Sequence, residues 1–251
     1  LEQLPIYVAE EAAIPVRAAQ SDASEMVTQL LWGEGCHVHE TDGSWSRIST
    51  AEDAYEGWVD SKMIGPASWY GKVSRWLFVF EGSVLLADGT SLRLPAGARV
   101  PLFDAECPEC PDWQLSPLSD ARPEQDRSCW VETAGSFRNA PYLWGGRCSF
   151  GIDCSGLIQV SARICGLRLP RDARDQAKVG TEVAWEERQR GDLLFFSRQN
   201  SGPITHVGIL EDTQHILHAS GKVRRDKVHP SGIVHSTTGQ LTHHFICIRR
   251  C

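Results

Sequence analysis

Apolar positions in the first half of the chain come in short runs separated by turn signals. PIYVAE (5–10), IPVRA (14–18), MVTQLLWGE (26–34), CHVHE (36–40), WSRIST (45–50) and GWVDSKMI (57–64) follow one another. Positions 38–48 alternate as a half-buried hairpin does, with Asp42-Gly43 in TDGSW as its turn. So many short strands in so little chain predict a small barrel over residues 1–65. A second set starts near Trp69: VSRWLFVF (73–80), SVLLADGTSLRLP (83–95), with its own Asp88-Gly89 turn, and ARVPLFD (98–104). Helix-length segments of 3.6-residue period are absent from this half. Residues 104–128 are rich in Pro and acidic side chains, which predicts a loop, a linker and a domain boundary.

From Trp130 the texture changes. VETAGSFRNA (131–140) reads as a helix with Ala134 and Phe137 on one face, ending before Pro141. In RCSFGIDCSGLIQVSARICG (147–166), Asp153 is a good N-cap, and Leu157, Val160 and Ile164 share one face after it. Cys154 therefore sits in the first turn of a core helix. HVGIL (206–210) and HILHAS (215–220) read as neighbouring strands of a hairpin through EDTQ (211–214).

Composition agrees with a folded, loop-rich β protein. Apolar residues are 41% and charged residues 23%, which excludes general disorder, and 22 Gly, 13 Pro and nine Trp argue against a helical bundle. No apolar run approaches the ~20 residues a membrane-spanning helix needs. The net charge of −7 hides a split. Residues 1–125 carry 8 Lys/Arg and 20 Asp/Glu (−12), and residues 126–251 carry 17 and 12 (+5). Two halves of opposite sign suggest a basic working domain on an acidic support. A nucleic-acid binder would need a denser basic stripe.

The nine cysteines are odd in number and unpatterned, which disfavours a disulfide scaffold and favours a reducing compartment. Cys107 and Cys110 form a CxxC without the second ligand pair a zinc site needs, so two loop cysteines is the simpler reading, with a mutual disulfide left open for an exported protein. Cys165 fits an inert position at the far end of its helix. Cys154 is different, because the partial positive charge at a helix start is expected to favour a thiolate. Two histidines sharpen that. His206 opens a strand that reads as buried, and His218 stands on its neighbour. A nucleophile on a helix, a base on one strand and an orienting group on the next is the logic of a catalytic triad. His37, His39, His229, His235, His243 and His244 read as ordinary strand or turn histidines. His215 should point to the face opposite His218.

PYLWGG, GIDCSGLIQ, LPRDARDQ, RGDLLFF, HVGIL and HAS, in that order, resemble the NlpC-type papain-like cysteine peptidases of bacterial cell walls. The likeness covers residues 126–251. GWV (57–59) and the strand order before it resemble bacterial SH3-like domains. The resemblance implies two small all-β SH3-like barrels (1–65 and 66–125) followed by an α+β papain-like catalytic domain (126–251). It also implies site residues. Cys154 matches the nucleophile, His206 the general base, His218 the orienting polar residue and Tyr142 a hydroxyl beside the nucleophile. Asp153, Ser155, Trp144 and Asp172 match substrate-pocket positions. Tyr55, two residues before GWV, matches an aromatic that meets the free amino end of the peptide.

The activity implied is hydrolysis of the bond between γ-D-glutamate and an L-diamino acid in a peptidoglycan stem peptide, through a thioester and without metal or organic cofactor. With Tyr55 in its implied role, the substrate begins with free L-Ala and the setting is murein-peptide recycling. That setting favours the cytoplasm, with export left open because the chain starts at Leu1. A wall-peptide binding module with a broken site is the first alternative, but all three triad positions hold competent residues. An amidase or acyltransferase on the same fold is the second. The order of Cys154 before both histidines favours the peptidase.

Overall fold

The computed structural model describes residues 5–104, 113–116, 120–123 and 127–251. Cys107, Cys110 and most of the expected linker lie outside the described residues. The chain divides into two compact units, residues 1–125 with 145–149, and residues 126–144 with 150–251.

The first unit is built of strands. β1 (Ile6–Ala9), β2 (Ala13–Arg17), β3 (Met26–Leu31), β4 (Gly35–Asp42), β5 (Trp45–Thr50), β6 (Glu56–Asp60) and β7 (Ile64–Pro66) pair in the order β3-β2-β6-β5-β4-β1-β7. The apolar runs of the sequence map onto these strands. Ile14, Val16, Leu30, Cys36, Ile48 and Val59 interlock as their core. The β4–β5 turn falls one residue later than expected, because Asp42 still pairs with Trp45 and Gly43 takes the positive φ of 59°. The glycine of GWV has a packing reason. A Cβ on Gly57 would stand 2.5 Å from Val16 Cγ1 and 2.9 Å from the Arg17 carbonyl oxygen.

A separate sheet follows. The long β8 (Arg75–Leu86) pairs with β9 (Ser91–Leu94), β10 (Arg99–Leu102), β11 (Trp113–Leu115) and β12 (Asp120–Pro123). Val79, Val84, Leu94 and Val100 pack beneath it with Trp32.

Residues 145–149 also belong to this unit. Gly145 has φ 78°, and a Cβ there would lie 2.3 Å from the Met26 carbonyl oxygen, so the chain passes too close for any side chain. Two residues on, the buried Arg147 grips Glu34 with both terminal guanidinium nitrogens, Nη1 and Nη2, at 2.6 and 3.0 Å. Its backbone N–H and Nη1 also donate to Gln29, at 2.8 and 2.7 Å. Glu34 accepts in turn from the Leu31 N–H. A charge taken out of water survives only with such partners.

The second unit opens with α1 (Trp130–Ser136). After β13 (Arg147–Cys148), which belongs to the first unit, β14 (Gly151–Ile152) precedes α2 (Cys154–Ile164), and α3 (Ala173–Gln176) follows. Then come β15 (Thr181–Glu182), β16 (Leu193–Ser197), β17 (His206–Leu210), β18 (His215–Ser220), β19 (Lys222–His229), β20 (Gly232–Val234) and β21 (Leu241–Arg250). The order is β15-β21-β16-β17-β18-β19-β20, and β20 also pairs with β21, so β16 to β21 close into a ring. Closure removes the two edges an open sheet would leave. Leu194, Phe196, Leu210, Ile216, Ile233 and Ile248 fill one face of it. α2 packs on β17 and β18, and α1 packs on α2. The α2 face expected from the sequence is the buried one: Leu157, Val160 and Ile164 are each at most 2% exposed. Trp130 closes the α1–α2 contact by donating from Nε1 to Ser161 Oγ at 2.9 Å.

Candidate active site

Asp153 starts α2. Its backbone is extended, and its Oδ1 accepts from the Gly156 N–H at 2.7 Å. Both oxygens are further held by Arg171, Oδ1 from Nη1 at 3.1 Å and Oδ2 from Nη2 at 2.6 Å. Arg171 Nη1 also donates to Ser155 Oγ at 2.8 Å, and Gln176 Nε2 donates to the Ser155 carbonyl at 3.0 Å. The LPRDARDQ segment thus braces the helix start from outside. Asp153 and Ser155 are buried and internally bonded. Arg171 and Gln176 went unnoticed in the sequence, although a buried N-cap carboxylate calls for a cation.

Cys154 is the first residue of α2 and only 6% exposed. Burial, reinforced by the neighbouring Asp153 charge, pushes its thiol up to about 12. Backbone N–H groups of Val207 and Ser155 and the Arg171 charge oppose this without overcoming it. The expected thiolate is therefore reversed. The helix-start effect is worth ~0.3–1 kcal/mol, and desolvation exceeds it. The resting group is a thiol, and its activation needs a base.

The strands supply one. His206, at the start of β17, and His218, on β18, are 5% and 0% exposed. His206 Nε2 lies 2.8 Å from His218 Nδ1, with the rings edge to face. His218 Nε2 lies 3.0 Å from Oδ2 of Asp226 on β19. Asp226 is also buried, and it accepts from Arg224 Nε at 3.0 Å and from the Ser236 N–H at 2.8 Å. His206, His218 and Asp226 share strand parity with Leu210, Ile216 and Val228, so all three face the same side of the sheet.

His243 on β21 completes the group. Its ring stacks on His206 at 4.1 Å between centroids and 20° between planes. The sequence reading passed over both Asp226 and His243. Each is a polar residue on a strand: β18–β19 pairing brings Asp226 to His218, and His243 comes from β21, which pairs with β16 beside β17. Burial drives the His206 imidazole well below its usual range, aided by the charges of His218 and His243. Burial lowers His218 too, against the pull of Asp226, and lowers His243 to about 4.

Tyr142 lies within the electrostatic reach of Cys154. Its N–H donates to the Gly221 carbonyl at 3.0 Å, and it bridges to Ile152, two residues before Cys154. Burial and the Cys154 and Asp153 charges raise its hydroxyl to about 12, so it stays a proton donor at neutral pH. Trp144 is 57% exposed. Asp172 caps α3 without a side-chain cap bond and is reached by Arg174 at 3.3 Å. Tyr55 belongs to the first unit, before β6, where its N–H donates to Thr50 Oγ1 at 3.0 Å. His215 is occupied by Asp212, and Cys165 touches Thr133 Oγ1 at 3.3 Å, the ordinary roles expected of both. Among the described residues, no group of three or more His, Cys, Asp or Glu is placed to hold a metal ion.

A thiol at a helix start, packed on the strand that opens with a buried imidazole, is the equipment of a thiol hydrolase. Residues 139–242 match the NlpC/P60 family, and residues 16–64 match the bacterial dipeptidyl-peptidase SH3 domain. The second unit thus carries an NlpC/P60 domain, and the first carries a bacterial dipeptidyl-peptidase SH3 domain.

A gamma-D-glutamyl-L-lysine dipeptidyl-peptidase of Bacillus cereus (strain ATCC 10987 / NRS 248) is 24% identical over 239 residues, spanning 84% of this chain and 72% of that protein. One of the same name from Bacillus subtilis (strain 168) is 42% identical over 90 residues, 36% of this chain and 30% of that protein. The probable endopeptidase NlpC of Escherichia coli (strain K12) is 38% identical over 86 residues, 34% of this chain and 56% of that protein. The crystal structure of an NlpC/P60 family protein from Bacillus cereus ATCC 10987 shares the fold, with a TM-score of 0.80 at 20% identity over 98% of this chain and 99% of that one.

Proposed function

We propose that the protein is a cysteine endopeptidase that cleaves the γ-D-glutamyl-L-diamino acid bond of peptidoglycan stem peptides, releasing L-Ala-γ-D-Glu from substrates with a free amino end. The observation that carries this is the buried Cys154 at the start of α2 in a unit whose strands present the His206–His218 pair. The name shared by the two Bacillus relatives supports the bond and the dipeptide. In this reading residues 66–125 are a second SH3-like barrel and residues 126–251 a papain-like domain.

His206 takes the Cys154 proton as sulfur attacks the γ-carbonyl of D-glutamate. The tetrahedral oxyanion is received by the Cys154 N–H, which as a first-turn amide has no intrahelical partner, and by the Tyr142 hydroxyl. The imidazolium then protonates the leaving amine, and a thioester remains. Water, deprotonated by the same imidazole, frees the dipeptide and the thiol. Trp144, Ser155 and Asp172 form the pocket around the stem peptide, with Asp153 holding its wall. Tyr55 meets the free L-Ala amine.

Incubation with L-Ala-γ-D-Glu-L-Lys and its diaminopimelate counterpart, followed by mass spectrometry, tests the reaction. Release of L-Ala-γ-D-Glu is expected, and no turnover of either under reducing conditions rejects the proposal. Equal rates on free and muramyl-linked peptides would remove the role given to Tyr55.

A further inference from the structure

A buried string of three titratable groups has an end that the triad does not use. His206 Nε2, His218 Nδ1, His218 Nε2 and Asp226 Oδ2 follow one another at 2.8 Å between the rings and 3.0 Å to the carboxylate. Each link needs one proton, and the chemistry of the last group decides where all of them sit. A carboxylate can only accept, so His218 Nε2 must carry a hydrogen. A neutral imidazole has one N–H, so His218 Nδ1 is then a bare acceptor. Its partner His206 Nε2 must therefore be the donor. That leaves His206 Nδ1 as the nitrogen with a free lone pair.

We propose that Asp226 is a positioning residue that fixes the tautomers of His218 and His206 and thereby makes His206 Nδ1 the base for Cys154. This deepens the peptidase reading and rests on its assignment of Cys154 and His206. The proton balance is simple. Sγ–H breaks and Nδ1–H forms on His206, whose Nε2–H stays in place and donates more strongly to His218 Nδ1. His218 keeps its Nε2–H and donates it to Asp226. No proton reaches the carboxylate, whose negative charge faces the new imidazolium across one neutral ring. The third position thus has a full charge behind it, one residue further away than in a Cys-His-Asp arrangement.

The carboxylate is itself held in place. Arg224 Nε and the Ser236 N–H bind it, and the stretch from His235 to Ser236 covers it from the loop before β21. The charged and titratable groups that act on the string are His218 from β18, Arg224 from β19, His235 from that loop, His243 from β21 and Arg198 after β16. Arg198, Arg224, His235 and His243 all oppose an imidazolium here, and Asp226 is the anion that favours one.

Two measurements test this without any substrate. Histidine-selective nitrogen-15 NMR of the whole protein at neutral pH should show both His218 and His206 protonated on Nε2 alone. A proton on Nδ1 of either ring overturns the proposal. The pH dependence of Cys154 alkylation by iodoacetamide, read on the Cys154 peptide by mass spectrometry, should move in opposite directions in two variants. Asp226→Asn removes the anion that favours the imidazolium, so the acidic limb moves to lower pH. Arg224→Gln removes a cation that opposes it, so the limb moves to higher pH. Limbs that coincide with the wild type in both variants overturn the proposal.

On L-Ala-γ-D-Glu-L-Lys, Asp226→Asn should lower kcat by ~10²-fold with KM little changed, as expected for a lost contribution to proton transfer. Asp226→Glu should restore part of it. A carboxylate with only a structural role would lower the melting temperature and the amount of active protein while leaving limb and kcat per active site in place. If Asp226→Asn does not fold, the NMR of the wild type and the Arg224→Gln profile still decide. If neither peptide is cleaved by the wild type, the peptidase reading falls while the tautomers and the alkylation limbs still test Asp226.

Discussion

Each unit buries a polar network, and the two are built to different ends. In the first, Arg147 and Glu34 meet through two hydrogen bonds, and Gln29 and the Leu31 N–H take up further valences. Opposite charges touch through both terminal guanidinium nitrogens, and Arg147 Nε is left as a buried donor without a hydrogen-bond partner. In the second, the string from Asp226 through His218 to His206 has an anion at one end and an uncharged ring at the other. The first arrangement resists change. The second holds a proton acceptor in a place where charging it is unfavourable until a proton arrives from a neighbour. A buried network becomes reactive when its open end is a proton acceptor, as a neutral imidazole is and a guanidinium is not.

Mutations should separate the two. The largest effect belongs to Cys154→Ala, which should reduce kcat by at least ~10⁴-fold while shifting unfolding free energy by less than ~1 kcal/mol in urea melts. Arg147→Met should do the reverse in kind. It strands the Glu34 charge, and urea unfolding should show a loss of ~3–5 kcal/mol.

The pH dependence comes next. The neutral imidazole of His206 is the working form, and burial holds its titration well below the usual value of 6.5. Activity measured as kcat/KM should therefore persist below pH 6.5 and fall only as His206 finally protonates. The Cys154 thiol, at about 12, should give no break near neutrality. The same three histidines make stability fall with acid. The unfolded chain binds their protons from pH ~6.5 downward, while the folded protein resists until lower pH.

The smallest effect is that of His243→Ala. Uncovering one face of the His206 ring relieves part of its burial and removes a like-charged neighbour. The acidic limb should move up toward 6.5 with at most a several-fold change in kcat, measured on the same peptide.

Much of this was legible in the chain. Short apolar runs located most strands from β1 to β10, although one run held both β6 and the start of β7 and the single β8 spans two runs, and Asp153 announced the start of α2 because a cap is a local signal. Cys154, His206 and His218 stand where the sequence predicts them, at the start of a helix and on two adjacent strands. The supports of these residues were not legible. Arg171 meets Asp153 from 18 positions away, and Arg147 meets Glu34 from 113. Asp226 reaches His218 through β18–β19 register, and His243 lies on β21, joined to the His206 strand through β16. None of these has a periodicity. The protonation of Cys154 was misjudged for a related reason. The helix start is visible in sequence, but the depth of burial that outweighs it is a property of the packed sheet.

The most direct test of the central claim is to trap the acyl-enzyme. Acid quenching during turnover of L-Ala-γ-D-Glu-L-Lys, followed by peptide mass spectrometry, should show the dipeptidyl group as a thioester on Cys154 and free L-Ala-γ-D-Glu in solution. Continued release of the dipeptide by the Cys154→Ala protein, with no adduct at that position in the wild type, would contradict the account.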